Sequence, residues 1–210
     1  NLVAGIDANL SFFESISLDS YVVKTRTEGL QGQDTSYRTR FDYLADRWGF
    51  AAEEIVVGAN FNPEIGFVRR RDFARTYGLA RFSPRPKGSR LIRKYFLQGS
   101  YDYVTDVRRT TVENRSVQAT FVTEFQNSDR TTVDYSRDFE FLPQDFTIAA
   151  GVVVPKGGYD YQNLKLLHNF GQQHRVSGQA AIGRGTFYNG HKTEVSYSGR
   201  GVTTSRFAME

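Results

Sequence analysis

Apolar and polar residues alternate along most of this chain. Ala4, Ile6, Ala8, Leu10 and Phe12 fall on one side of an extended segment, with Gly5, Asp7, Asn9 and Ser11 on the other. The pattern returns in Tyr37, Thr39, Phe41, Tyr43 and Ala45 against Ser36, Arg38, Arg40 and Asp42. It recurs in Val117, Ala119, Phe121, Thr123 and Phe125, and again in Thr131, Val133, Tyr135, Phe139 and Phe141, the last set opposed by Asp134, Asp138 and Glu140. A repeat of two is that of a strand, and no segment sustains the 3.6 repeat of a helix. The pattern predicts strands over 2–13, 15–26, 35–46, 48–57, 72–83, 91–105, 112–126, 130–142, 158–169, 175–187 and 192–200, with a twelfth beginning near Val202. The second, fourth and ninth segments mix their faces, as where Leu164, Leu166 and Leu167 crowd together.

The connections carry a second pattern. Short links at Phe13–Ser15, Asp46-Arg47, 126–129 and 170–174 alternate with longer ones at 27–34, 58–71, 106–111, 143–157 and 188–191. The link at 83–90 falls in the short series but is longer and holds Pro84 and Pro86. Tight turns on one side and long loops on the other mark a transmembrane β-barrel. Strand length agrees, because crossing the hydrocarbon layer at a steep tilt takes about 9–11 residues, against about 5–6 in ordinary soluble sheets. The expected fold is therefore all-β: an antiparallel up-and-down transmembrane barrel, with about 11–12 strands in this chain as a fragment of a larger barrel. A soluble sandwich also has one polar face, so alternation alone leaves a soluble all-β binding protein as a further reading.

Composition sharpens this picture in three places. Seventeen Phe and twelve Tyr supply the aromatic girdles that suit a membrane–water interface. The absence of Cys excludes disulfides, thiolate metal sites and a cysteine nucleophile. The formal charge is +4, with 21 Arg and 6 Lys scattered along the chain rather than gathered into a nucleic-acid footprint. Its one tight basic cluster is Arg69-Arg70-Arg71.

Gly58–Phe73 reads Gly-Ala-Asn-Phe-Asn-Pro-Glu-Ile-Gly-Phe-Val-Arg-Arg-Arg-Asp-Phe. This resembles a signature of a bacterial outer-membrane β-barrel family of unknown function, usually fused to an N-terminal carbohydrate-binding family 9-like domain. Phe41–Phe50 resembles the hairpin before that signature, Gly151–Tyr161 a later loop, and Phe187–Gly190 another. The resemblance implies an outer-membrane location, contact with lipid and the barrel-assembly machinery, and a single barrel domain over 1–210 that is incomplete at both ends. It carries over no catalytic residues, although family members are often labelled hydrolases. The expected function is transport or capture of a polar solute or glycan. The alternative is a membrane anchor for a carbohydrate-binding or glycan-hydrolysing module outside this chain.

Candidate ligand-binding residues lie on two long loops. In the first, Asn62, Glu64, Arg69, Arg70 and Arg71 place amide, carboxylate and guanidinium groups together, a set suited to carboxylate, sulfate or phosphate. The competing expectation is a latch, with the arginines paired to the carboxylates of the polar strand face. In the second, Tyr159 and Tyr161 offer rings on which a sugar's apolar face stacks, as do Phe61, Phe67, Phe146, Phe187 and Tyr188. His168, His174 and His191 read as polar turn residues rather than a triad or metal site. Asp134, Asp138 and Glu140 share a strand face, where a salt-bridged wall competes with a glycosidase pair. No catalytic residue, metal or cofactor is expected.

Overall fold

The computed structural model describes residues 1–64, 68, 70–149, 151–188, 190–204 and 207–209, the last two stretches beyond residue 200 by backbone alone. Every regular element among them is a strand. These are β1 (Leu2–Phe12), β2 (Ile16–Arg26), β3 (Thr35–Leu44), β4 (Trp48–Val57), β5 (Phe73–Phe82), β6 (Ile92–Thr105) and β7 (Val112–Phe125). They continue with β8 (Arg130–Leu142), β9 (Phe146–Ala149), β10 (Val152–Val154), β11 (Gly157–Phe170), β12 (Val176–Phe187), β13 (Gly190–Thr204) and β14 (Phe207–Met209).

Twelve strands form one sheet in the order β1-β2-β3-β4-β5-β6-β7-β8-β11-β12-β13-β14, so each strand lies beside its neighbour in sequence, apart from the excursion between β8 and β11. This is the expected up-and-down order. The expected closure is not formed by these strands. An up-and-down sheet closes when its first and last strands pair, and among the described residues β1 has β2 as its only neighbour.

Two connections differ from the sequence expectation. The 143–157 link is not structureless but holds the antiparallel hairpin β9–β10, with Gly151 at φ +80° in its turn. Its run of Phe146, Ile148, Val152, Val153 and Val154 has strand propensity but is too short to show alternation. The 188–191 link is shorter than expected, since β13 starts at Gly190 and only two residues separate it from β12.

The chain divides into two compact units, residues 1–80, 100–116 and 139–158, and residues 81–99, 117–138 and 159–210. Within the first, register fixes the two faces. Rows such as Leu10–Leu18–Phe41–Ala52 and Phe12–Ile16–Tyr43–Phe50 line one side. Ile6, Leu10, Phe12 and Phe41 on it are 75%, 45%, 47% and 40% exposed. The rows of Tyr21–Arg38–Ile55 and Asp19–Arg40–Glu53 line the other side. Buried Ser36, Ala51, Glu53 and Val57 lie there. The second unit repeats the arrangement: Leu166, Ile182 and Val195 form an exposed apolar row, beside a row of Lys165, Gly183 and Glu194.

Candidate functional site

On the polar face of the first unit, five adjacent strands contribute charges to a lateral ladder. Asp19 of β2 meets Arg38 of β3 at 3.7 Å. Arg38 donates from Nε and Nη2 to Glu53 Oε2 of β4, at 2.8 and 2.6 Å. Arg75 of β5 donates from Nη1 to Glu53 Oε1 at 3.0 Å, and its Nε and Nη2 grip Asp102 of β6 at 2.8 and 2.6 Å. Arg40 approaches Glu53 at 3.5 Å while holding Asp42 with two bonds of 2.7 and 2.9 Å. Glu53 is the pivot: its side chain is 6% exposed and faces three guanidinium groups. A carboxylate so little exposed is tolerated only when its lone pairs are taken by donors, and here both oxygens are engaged.

The β4–β5 loop folds onto this same face. Phe61 is buried beside a cavity of about 520 Å³ lined by Tyr21, Val23, Ile55, Val57, Phe61 and Phe73. The loop is tied to its neighbours through backbone and short polar side chains. Asn62 N–H donates to Thr25 Oγ1 (3.0 Å), and Thr25, fully buried, donates in turn to the Asp34 carbonyl (3.2 Å). Asn60 Nδ2 donates to the carbonyls of Gln31 and Gly32. Lys24 lies 3.2 Å from the Asp34 carboxylate, and that bond holds the Asp34 pKa below its ordinary value.

Among the expected loop residues, Arg71 Nη2 donates to Asn62 Oδ1 (2.8 Å), and Asn62 Nδ2 donates weakly to Glu64 Oε1 (3.5 Å). Asn62, Glu64 and Arg71 are thus brought together. Arg70 instead pairs with Glu113 at the start of β7 and stacks over Phe73. Arg69 and Phe67 lie outside the described residues. Where they are described, the arginines pair with Glu113 and Asn62 rather than with the strand-face carboxylates foreseen for a latch.

In the second unit, Tyr159 and Tyr161 join Phe187 and Tyr188 in one aromatic cluster. Ring centroids are 5.1 Å apart for Tyr159–Tyr188, 5.4 Å for Tyr161–Tyr188 and 5.9 Å for Tyr161–Phe187. Edge-to-face and offset pairs at these distances are favourable beyond simple burial. The cluster forms because β11 begins where β12 ends, which brings 159–161 beside 187–188.

Two short turns of this unit are stapled at Asp129. Its Oδ1 accepts from Gly171 N–H (2.7 Å) and lies 2.8 Å from His174 Nε2, while Oδ2 accepts from Asn127 Nδ2 (2.8 Å). The Gly171 bond first, then Asn127 and His174, hold the Asp129 pKa below its ordinary 3.8. A depressed carboxyl stabilises the fold above the unfolded-state value and loses that contribution as pH falls through the folded one. The Asp129→Asn variant is therefore expected to be less stable than the wild type at pH 7. The gap should persist down to about pH 4 and close at lower pH, as read by thermal unfolding between pH 7 and 2.

His168 Nδ1 lies 2.9 Å from Thr131 Oγ1. Asp134 accepts from Thr120 (2.7 Å) and Asp138 from Ser136 (2.9 Å), each within the sheet's own polar face. Among the described residues no three His, Cys, Asp or Glu side chains gather as a metal ion requires. Sequence reasoning missed Glu53, Arg75 and Asp102, the centre and far end of the ladder. The Asp46-Arg47 turn held the signal, since it sets Arg40 opposite Glu53.

The ladder, the latch and the aromatic cluster are thus read from their own geometry, for no family model, curated protein or solved structure matches this chain.

Proposed function

We propose that this chain is part of the wall of a bacterial outer-membrane β-barrel, and that its polar face and long loops select or capture a polar solute such as a glycan. The observation that carries the reading is the division of labour between faces. In each unit one side leaves Ile, Leu, Phe, Tyr and Val side chains exposed, among them Ile6 and Leu10 in the first and Ile182 and Val195, up to 77%, in the second. The other concentrates paired charge. Lipid tails match the first face, and water crossing a lumen matches the second.

A polar row does cross the apolar face, and its groups satisfy one another. Ser20 Oγ bonds the Arg38 carbonyl and Thr39 Oγ1, each at 3.0 Å, while Thr76 and Arg109 both donate to Glu54. Aromatic residues stand where a lower interface would fall. Trp48, Phe50 and Tyr43 stack in sequence beside the short β3–β4 turn, at 6.2 and 6.1 Å. In this reading Asn62, Glu64, Arg70 and Arg71 shape the solute path through the latch, and selection is electrostatic and steric, without covalent chemistry.

The test is biochemical fractionation followed by reconstitution. The protein should leave cell membranes only with detergent, migrate differently on gels before and after boiling, and produce stepwise conductance in a planar bilayer. Full solubility without detergent would overturn the membrane reading; insertion without conductance would leave an anchor rather than a passage.

A further inference from the structure

Unlike the charge ladder, where each group has its partner, one region of the second unit gathers polar side chains that are not spent on other described residues. A cleft of about 990 Å³ opens at the short-turn end of β11, β12 and β13. Asn169, Gln179 and Ser198 form one row across the three strands, directly paired in register. Ser177, opposite Arg200, stands two residues further along, and Gln172 joins from the β11–β12 turn. The side chains of Asn169, Gln172, Ser177, Gln179 and Ser198 make no hydrogen bond to another described residue.

Close glycine packing fixes the two strands that carry the middle and end of this row. A Cβ on Gly178 would lie 2.3 Å from Gly199 Cα, and one on Gly199 would lie 2.6 Å from the Tyr197 hydroxyl. The Gly178–Gly199 pair therefore lets the two backbones close up and seats the Tyr197 ring over bare glycine, a pairing that pins both strand register and ring. Phe170 and Tyr197, one position out of step with the Asn169–Gln179–Ser198 row, belong to the other face of these strands, so the row itself is purely polar.

We propose that this cleft binds a neutral, polyhydroxylated solute, with the Asn169–Gln179–Ser198 row as its hydrogen-bonding floor. Carboxamides and hydroxyls each offer both donor and acceptor, which is what a sugar hydroxyl requires, and strands about 4.8 Å apart space them regularly. An anion would call for converging cations, and among the described residues lining the cleft Arg200 alone is charged. A peptide adding itself as a strand would need a free backbone edge, whereas the row's central member, Gln179, lies in a strand paired on both sides. The inference rests on the solute-capture reading for its ligand class only.

The experiment is calorimetric titration of the detergent-solubilised chain with neutral tetrasaccharides of glucose and mannose, and with a uronic-acid tetrasaccharide. At least one neutral ligand should bind saturably, and the anionic one no more tightly. Gln179→Ala/Ser198→Ala should weaken that binding about tenfold or more, from two lost bonds, while Gly78→Ala, where an added Cβ meets nothing within 4 Å, leaves it unchanged. If the double variant fails to fold, Ser198→Ala alone should still weaken binding measurably. No saturable neutral binding, or wild-type affinity in the cleft variants, overturns the site. Sugar binding that survives in the cleft variants but is lost in a Tyr159→Ala/Tyr161→Ala variant would overturn the cleft and assign solute capture to the aromatic cluster instead, and bilayer conductance decides the barrel reading independently of either result.

Discussion

Replacing Glu53 with alanine should cost about 3–5 kcal/mol of unfolding free energy, among the largest effects of any single substitution in this chain. The reason is the number of charges left behind. Arg38, Arg40 and Arg75 converge on Glu53 with side chains only 27%, 35% and 34% exposed. Removing one carboxylate leaves three guanidinium groups facing one another with less counter-charge than they need. Arg40 keeps Asp42, and Arg75 keeps Asp102, so both retain one bidentate partner. Arg38 keeps only the looser contact to Asp19 at 3.7 Å. Asp19→Asn should accordingly cost about 0–1 kcal/mol, because that side chain is 46% exposed and its attraction is screened. Glu53→Gln should fall between, since an amide oxygen still accepts but its NH₂ turns a donor toward cations. Denaturant unfolding in detergent reads all three. A Glu53→Ala loss below about 1 kcal/mol would mean that water reaches the guanidiniums and the ladder does not hold the strands together.

The ladder also shows where the sequence was legible and where it was not. The Arg38, Arg40 and Asp42 face could be read from alternation in β3 because its apolar members, Tyr37, Phe41 and Tyr43, keep strictly to the other side. Glu53 could not be read this way. It stands next to Glu54 in β4, so the polar signal occupies both faces, and only pairing with β3 sends Glu53 inward and Glu54 outward. Asp102 and Arg75 suffer the same ambiguity among Tyr101, Tyr103 and Tyr77. Strand positions emerged within a few residues because period two and turn chemistry are local properties. Closure is not local: it depends on which strands meet at the sheet's ends, and no pattern within a strand encodes that. The aromatic cluster lies between these cases. Tyr159, Tyr161, Phe187 and Tyr188 were each visible as aromatic residues beside loops, but their meeting requires the β11–β12 pairing. The row of Asn169, Gln179 and Ser198 carries no sequence signal, since isolated amides and hydroxyls on strands are ordinary until register aligns them.

Gly58→Ala should destabilise the protein by about 2–4 kcal/mol, through overpacking together with lost backbone bonds. The added methyl would stand 2.0 Å from the Gln33 carbonyl oxygen and 2.5 Å from its carbon. Neither atom is the end of a flexible side chain, so one of the two loops must move. Movement is costly because the same stretch holds the latch in place. Gly58 N–H donates to the Thr35 carbonyl (3.0 Å), and Asn60 N–H donates to the Gln33 carbonyl itself (2.9 Å). Two residues on, Asn62 reaches Thr25 and receives Arg71, so a shifted β4–β5 loop also disperses the candidate ligand residues. Gly78→Ala is the matched control. A Cβ there meets nothing within 4 Å, and its φ is ordinary. That change should be neutral or stabilising by about 0.4–1 kcal/mol, from lost freedom in the unfolded chain. Limited proteolysis should separate the two: 27–34 cut faster in Gly58→Ala and unchanged in Gly78→Ala. If Gly58→Ala keeps wild-type stability and protease resistance, the two loops are not braced against each other, and Asn62, Glu64 and Arg71 owe their positions to something other than this contact.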